Sequence, residues 1–482
     1  MKSKIVTGKK IIKVLAFLLG LTCTFQAFKF NVAGFYFYPS DIFYYLLFLF
    51  LFIFLFSHKK DSFPTSPSTK ILYLILIIYF SIIILSGMIL FMKGIDFIWL
   101  FVSLKAVFKF AILSIFLLLI FLTSNYVKII LFKNFLKGFI VSILIQIFFS
   151  LLQLIAWYSQ RIELNKVIFN NFLRIEIGHR WTNFLFYPIF RTTGLHWDPA
   201  YLGIWTLIGI AWIYFFWKNN WFKRIVLLFS FLVFFMTFSR TAFFALSMLL
   251  LITFFISLIK LIYKMKISLN LNNKLKTIFS LLLIISIVMS MSLFIIKGSE
   301  NAIKIFAERI DVESIGTQRH LNYFTQGWNA ISNNFLTLFF GFGYRNGGRG
   351  FLSDSKIIYN LPGIENFKAP WSPESDFINS YLELGIIGFV FYLSIFIFGL
   401  TYLINIKNRA IKAKNNELIN IYSYIDINKK ISFFLICYGL LFFAGFFYSF
   451  KDSLWYWLLI FSVFLIDLEL KDKLVKKYEN SN

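Results

Sequence analysis

Long apolar runs recur from one end of the sequence to the other, and they limit what the chain can fold into more than any other feature. About 20 consecutive apolar residues suffice for a helix to cross a bilayer. Of the 482 residues, 59% are hydrophobic and 15% are charged, whereas a soluble domain carries about 25% charged residues. The sequence therefore predicts an all-α fold, a polytopic transmembrane helical bundle.

The apolar runs predict about twelve spans when each is required to be long enough to cross a bilayer. They cover residues 11–29, 41–57, 71–92, 98–122, 136–157, 199–217, 222–238, 241–262, 277–296, 384–405, 431–449 and 452–468. The chain then divides into three parts. Residues 1–296 hold spans one to nine, 297–383 form a large extracytoplasmic loop with short helices, and 384–482 hold the last three spans and a cytoplasmic tail.

Lysine and arginine set the predicted orientation, because cytoplasmic loops carry an excess of both. With twelve spans, the basic residues of the short connections, such as 2–10, 260–276 and 407–430, all fall on one side. That side is the cytoplasm, and both termini lie there. The net charge of +26 is thus spread over membrane-flanking loops, which argues against a nucleic-acid partner.

Two long loops, 158–198 and 297–383, are predicted to face outward, and loops of this length are usually functional. Residues 301–311 have apolar residues at helical spacing, which predicts a short amphipathic helix on the outer leaflet. Four polar patterns lie in or near these loops. They are "RTTGLHWDPAYLG" (191–203), "TFSRTA" (237–242), "QRHLNYFTQGW" (318–328, with "GFGYRNG" shortly after) and "APWSPESDFINSYLELGIIGFVFY" (369–392).

Three arginines, Arg191, Arg240 and Arg319, fall at the outer membrane boundary. Arginine is permanently charged and binds phosphate with a rigid fork, so three of them at one face could hold a diphosphate. The alternative is that each reaches to the interface or pairs with a neighbour such as Asp198.

Lys105 and Lys109 are one helical turn apart in the outer half of span four. Charged residues inside a span are functional candidates by default, and these two could extend an anion site. Reaching to the lipid headgroups explains them equally well.

The fourth pattern places acids where a span begins. Ser372 is predicted as the N-cap and Pro373 as the first helical residue, so that Glu374 and Asp376 lie in the first turn, where the helix dipole favours negative charge. Capping does not explain the polar stripe that continues inward, because its spacing is i, i+3, i+4, i+7. The stripe consists of Asp376, Asn379, Ser380 and Glu383, and it predicts a polar cavity in which a carboxylate acts as general base on a sugar hydroxyl.

No residue pattern predicts a metal or a nucleotide. The outward histidines His179, His196 and His320 lack metal-ligand spacing, and no P-loop occurs. We therefore expect no cofactor and no catalytic metal. Aromatic residues of the loops fit stacking on sugar rings, and interfacial anchoring explains them equally well. They include Trp181, Trp197, Tyr201, Trp328, Tyr344 and Trp371.

Taken together, the motifs resemble the O-antigen polymerase and ligase superfamily of bacterial inner membranes. "RTTGLHWDPAYLG" is similar to its Arg-x-x-Gly…Asp-Pro-Asn-x-Leu-Gly segment, with Ala200 in place of Asn. "FSRTA", "TQRHLNYFTQGWNAI…FFGFGYRNG" and "NSYLELGIIGFVFY" are similar to three further segments. The order and spacing of the motifs carry the resemblance, which covers most of the chain.

Ligases and polymerases of this superfamily differ at the entrance to span ten. Counting back from Gly385 and Gly388 places Glu374 where ligases carry a histidine. The resemblance therefore implies a polymerase that joins polyprenyl-diphosphate-linked repeat units at the outer face of the inner membrane. A ligase that moves glycan onto lipid A core or protein is the alternative. A transporter or flippase is a third reading, which the absence of an internal repeat disfavours.

The resemblance also implies roles for the residues. Arg191, Arg240 and Arg319 would neutralise the diphosphate leaving group, and Glu374 or Asp376 would orient or deprotonate the acceptor hydroxyl. The residues expected to bind substrate are Asp198, His196, His320, Lys105, Lys109, Arg345, Asn379 and Glu383. The resemblance further implies that donor and acceptor are undecaprenyl-diphosphate-linked glycans, that membrane lipids surround the protein, and that a chain-length regulator is a candidate partner.

Overall fold

The computed structural model describes most of the chain. The described residues are 2–25, 28, 30–32, 35–57, 67–92, 97–164, 167–168, 181–184, 187–196, 198–265, 328, 331–332, 335–343, 375–446, 448–451 and 453–481. The predicted ninth span, 277–296, and the predicted amphipathic helix, 301–311, lie outside them.

Helices make up nearly all of the regular structure in the described residues. They are α1 (Lys2–Thr22), α2 (Pro39–Ser57), α3 (Pro67–Met92), α4 (Phe97–Leu122), α5 (Asn125–Gln160), α6 (Pro199–Phe216), α7 (Trp221–Met236), α8 (Arg240–Met265), α9 (Phe335–Phe340), α10 (Asp376–Asn415), α11 (Ile421–Gly445), α12 (Leu454–Phe461) and α13 (Phe464–Ser481). Every predicted span except the ninth overlaps one of these helices, so the prediction of a helical bundle is confirmed.

Four of these helices, α5, α6, α10 and α11, are long and apolar enough to cross a membrane. Shorter apolar stretches lie in α2, α3, α4 and α8. Together they support a helical membrane protein, while the count of twelve spans stays a prediction.

Two short hairpins were not predicted. Strands β1 (Phe30–Val32) and β2 (Phe35–Phe37) pair antiparallel, and so do β3 (Trp181–Phe184) and β4 (Tyr187–Phe190). Three- and four-residue strands are too short to show a clear alternation of polar and apolar residues, so periodicity could not reveal them. The second hairpin leads directly into the first motif.

The aromatic helix α12 lies in the centre of the bundle. Its residues Trp455 and Tyr456 are fully buried. Trp455 stacks on Phe139 of α5 with ring centroids 5.8 Å apart and meets Trp205 of α6 edge-on. The Tyr456 hydroxyl is 2.7 Å from the hydroxyl of Tyr392 in α10. The predicted last span is therefore a core element, and it is interrupted before α13 begins.

Helix α10 is interrupted at Gly385, which has φ 67° and ψ −169°. Gly341, just after α9, also has a positive φ of 72°. The two backbones cross so closely that a Cβ on Gly385 would lie 2.3 Å from the carbonyl carbon of Phe339. At the break, the amide of Gly343 donates to the carbonyl of Glu383 at 2.9 Å. The interruption therefore makes the start of α10, up to Leu384, a short helix of its own.

Candidate functional site

The first motif is held in place by two glutamines of α5. The Gln153 side-chain oxygen accepts hydrogen bonds from the Thr192 hydroxyl at 2.6 Å and from the Gly194 amide at 3.1 Å. About two helical turns earlier in α5, the Gln146 oxygen accepts from the amide of Leu195 at 2.6 Å. Both glutamines are fully buried. Because buried backbone amides need partners, these contacts fix the path of residues 192–195.

Arg191 binds the turn that carries the second motif. Its Nε donates to the carbonyl of Thr237 at 2.9 Å, and a terminal amine donates to the carbonyl of Phe238 at 3.1 Å. Phe238 has a positive φ of 44°, and Arg240 follows as the first residue of α8. Two of the three predicted arginines thus lie on segments that are hydrogen-bonded to each other.

Asp198 is the N-cap of α6 and is nearly buried. One carboxylate oxygen accepts from the amide of Ala200 at 2.8 Å, and the other accepts from the hydroxyl of Tyr448. His196 is fully buried, and its Nδ1 accepts from the Asp198 amide at 2.8 Å. His196 also packs against Tyr201, with ring centroids 4.4 Å apart. The imidazole therefore supports the N-cap from inside the protein.

The start of α10 corrects the predicted cap. Ser375, rather than Ser372, is the N-cap: its hydroxyl accepts from the Ile378 amide at 3.2 Å. The same hydroxyl donates to the carbonyl of Gly445 at 3.1 Å. This second contact comes from a distant part of the chain, and it favours Ser375 over another serine with an equally suitable side chain. Asp376 is in the first turn, as predicted, and Glu374 precedes the cap.

Asp376 is fully buried and binds the turn between α11 and α12, residues 448–451, which we call the 448–451 turn. Its carboxylate accepts from the Ser449 hydroxyl at 2.9 Å, from the Phe450 amide at 2.9 Å and from the Lys451 amide at 3.0 Å. The Asp376 amide donates in turn to the carbonyl of Tyr448 at 3.2 Å. The carboxylate is thus used to hold the turn.

The rest of the polar stripe also meets the 448–451 turn. Lys451 Nζ lies 3.1 Å from a carboxylate oxygen of Glu383 and 3.4 Å from the hydroxyl of Ser380. Glu383 and Lys451 are each only 1% exposed. Asn379 Nδ2 donates to the Ser449 hydroxyl at 3.4 Å. We predicted a polar cavity here, whereas the described partners of the stripe are groups of a turn, because the chain itself supplies the polar surface.

Of residues 318–328 in the third motif, the structure describes only Trp328. Trp328 is half exposed and stacks on Tyr381 of α10, with ring centroids 5.6 Å apart and the rings nearly parallel. Several predicted site residues lie outside the described part of the chain: Arg319, His320, Arg345 and Glu374. For three others, Arg240, Lys105 and Lys109, the helix position is described and the side chain is not.

The role of the 448–451 turn, which connects α6 to the start of α10, was not predicted from the sequence. The turn binds Asp198 through Tyr448 and Asp376 through the following three residues, and the Tyr201 hydroxyl donates to its Ser449 carbonyl at 2.9 Å. One signal was present in the sequence. Lys451 lies in a very short predicted outward connection, against the bias that places lysines on the cytoplasmic side.

Within the described residues, no three His, Cys, Asp or Glu side chains lie close enough together to hold a metal ion. The expectation of a reaction without metal or cofactor stays a prediction.

Comparison with known families agrees with the motifs. A family model described as O-antigen ligase matches residues 225–393, from α7 to the middle of α10. This match confirms the predicted resemblance to the O-antigen polymerase and ligase superfamily, and it supports a function of that general type. No curated protein matches the chain. The segment 191–198 and the 448–451 turn lie outside the matched region.

Proposed function

We propose that the protein is a glycosyltransferase that joins polyprenyl-diphosphate-linked repeat units of a surface polysaccharide. The observation that carries this proposal is one connected hydrogen-bond network. Segment 191–198 binds turn 237–239 through Arg191, and it binds the start of α10 through the 448–451 turn. Motifs far apart in the sequence thus meet at one end of the bundle, as a single site requires.

The proposed role of the arginines is to stabilise the leaving group. As the glycosidic bond breaks, negative charge develops on the lipid diphosphate, and fixed cations near that position lower the barrier. Arg191 is fixed by two carbonyls of the turn before Arg240. We assign the diphosphate to Arg191, Arg240 and Arg319, with Lys105, Lys109, His320 and Arg345 as further substrate-binding residues.

Glu374 is the better candidate for the general base. The carboxylate of Asp376 already accepts three hydrogen bonds and is fully buried, and a base must be within hydrogen-bond reach of the acceptor hydroxyl. We therefore assign the proton transfer to Glu374 and a supporting role to Asp376. His196, Asn379 and Glu383 are equally buried, so we assign them to the support of the site rather than to glycan contacts.

Polymerase activity rests on Glu374 in place of the histidine of ligases. The acceptor hydroxyl of one lipid-linked unit attacks the anomeric carbon of the other, and the bond to the lipid diphosphate breaks. The leaving diphosphate supplies the driving force, so the proposed reaction requires neither nucleotide nor metal. Ligase activity remains the second candidate, because the matching family model carries that description.

The test is deletion of the gene in its host, followed by gel analysis of the extracted surface glycan. For a polymerase we expect the long ladder to disappear and core carrying a single repeat to remain. Loss of every repeat from the core, with polymer accumulating on the lipid carrier, would establish a ligase and refute the Glu374 argument. Complementation with Glu374→Gln then tests the base, and Arg240→Ala and Arg319→Ala test the diphosphate site.

A further inference from the structure

The ion pair between Lys451 and Glu383 is unusual because both side chains are sealed from water. Each is 1% exposed, and the charged atoms are 3.1 Å apart. A buried ion pair seldom stabilises a protein more than an apolar pair of the same size would, because both charges lose their hydration. The pair is better explained by the geometry that it imposes.

Lys451 joins the start of α10 to α12. Its ammonium binds Glu383 and Ser380 in the start of α10, and its amide binds Asp376 of the same segment. Its carbonyl accepts from the Trp457 indole of α12 at 2.6 Å. Since the residues of α12 from Trp455 to Phe461 are buried, Lys451 anchors the start of α10 to the core of the bundle.

The anchored segment, the start of α10, follows the proposed base Glu374 in the sequence. Gly385 separates the start of α10 from the remainder of the helix, so the first nine residues depend on side contacts for their position. Those contacts are supplied by Ser375, Asp376 and Glu383. The backbone of the start of α10 is therefore held by Gly445 of α11 and by the 448–451 turn.

We propose that Lys451 is a positioning residue for the glycosyl transfer: through its ion pair with Glu383 it fixes the start of α10, the helix that follows the proposed base in the sequence. This inference rests on the proposed function. It predicts that the Lys451–Glu383 pair is needed for turnover even when it is not needed for folding.

The experiment uses purified full-length protein in lipid nanodiscs with a synthetic polyprenyl-diphosphate-linked repeat unit, and it measures kcat, KM and melting temperature. For Lys451→Met we expect kcat to fall by about 100-fold, the scale seen when a distant change misplaces a reacting group by about 1 Å. KM should stay within about twofold, because uniform substrate binding is not removed. The melting temperature should also fall, because Glu383 stays buried after its ion pair with Lys451 is lost.

The double variant Lys451→Met with Glu383→Gln separates positioning from folding. It also removes the buried charge of Glu383, so we expect the melting temperature to recover while kcat stays low. Recovery of both would show that the pair is only structural and would overturn the proposal. The matched control is Arg409→Met, which removes a cation from buried Asp467 at the other end of the bundle. We expect it to lower the melting temperature without changing kcat, and an equal loss of kcat in this control would also count against the proposal.

Failure of the proposed function is recognised separately. It would appear as wild-type protein that joins no units in this assay. Failure of the positioning role would appear as active wild-type protein whose double variant has normal kcat.

Discussion

A buried carboxylate lies at each end of α10, and its charge is compensated differently at the two ends. At the site end, Glu383 and Lys451 are both sealed from water, and Asp376 is held by two backbone amides and a hydroxyl. At the opposite end, Asp467 of α13 is 3% exposed, but its partner Arg409 is 44% exposed. The cations of the opposite end, Arg409 and Lys471, stay partly hydrated. Lys451 at the site end is buried and held in a fixed position.

The difference indicates what each cluster is for. Long cationic side chains can lie along apolar surface and keep their charged groups in water, which makes their ion pairs tolerant of change. At the opposite end the Tyr402 hydroxyl and Lys471 also bind Asp467, at 2.8 Å and 3.0 Å, so its charge is compensated more than once. At the site end, a single substitution of Lys451 or Glu383 removes the ion pair from a charge that stays buried. We expect the two ends to respond differently to matched substitutions.

The largest effect is expected where α10 is divided between the two ends. Gly385→Ala places a Cβ against the Phe339 backbone at a positive φ, so we expect a loss of about 4 kcal/mol or more of folding free energy, which is exceptional for one residue. Fluorescence size-exclusion chromatography should show little monodisperse protein. The control is Gly439→Ala, where the nearest atom is the movable end of Leu249 and most of the folded protein should remain.

Asp376→Asn should have the next largest effect. The amide keeps the shape, but its NH2 group must replace one acceptor oxygen and then faces either the Phe450 amide or the Lys451 amide. Hydrogen bonds to a charged group are worth about 1.5–3 kcal/mol each. We expect a loss of about 3 kcal/mol in melting experiments and of transfer activity per folded molecule. Normal specific activity would separate the 448–451 turn from the reaction.

Asp467→Asn is the matching change at the opposite end. The neutral amide weakens the bonds to Arg409, Lys471 and Tyr402, and we expect a loss of about 2 kcal/mol, since part of each pair is hydrated. Specific activity, measured on the folded fraction, should equal that of the wild type. A selective loss of activity would contradict the division between the two ends.

Gln153→Leu tests the support of the first motif at the site end. It leaves the Thr192 hydroxyl and the Gly194 amide without the Gln153 oxygen, and a buried unsatisfied group costs about 1–3 kcal/mol. We expect a lower melting temperature and weaker complementation of a deletion strain. A normal melting temperature together with full complementation would argue against this hydrogen-bond account.

The smallest effect is expected for Lys473→Met. Its ammonium lies 3.4 Å from Asp426, and both side chains are largely hydrated. Such surface pairs contribute about 0–1 kcal/mol, so melting temperature and activity should match the wild type. A large drop would show that the opposite end is as rigid as the site end.

Local signals in the sequence predicted the helices better than their contacts. The start of α10 is an example: a serine before an acidic first turn favours an N-cap, so Ser372 was predicted, and this prediction is wrong. The carbonyl of Gly445 selects Ser375, and nothing within the segment could indicate it. The interruption at Gly385 has a similar origin, because the crossing partner belongs to another element.

Only some residues of the candidate site were singled out from the sequence, because its contacts also join segments that are far apart in the chain. Arg191, Asp198, Asp376 and Glu383 were singled out because charged groups at a membrane boundary need an explanation. The 448–451 turn was not, because its importance lies in backbone amides, which every sequence contains. Asp376 and Ser449 are 73 positions apart, and residue patterns that repeat over a few positions carry no information at that distance.

The sequence by itself determined that this is a helical membrane protein with polar motifs at the ends of its spans, because apolar length and polar position are properties of each segment alone. Only the tertiary structure decided that the Asp376 carboxylate holds a turn, that Lys451 neutralises Glu383, and that α12 is the centre of the bundle. The physical reason is that a buried polar group must find a partner, and the identity of that partner depends on which segments the packing of the helices brings together.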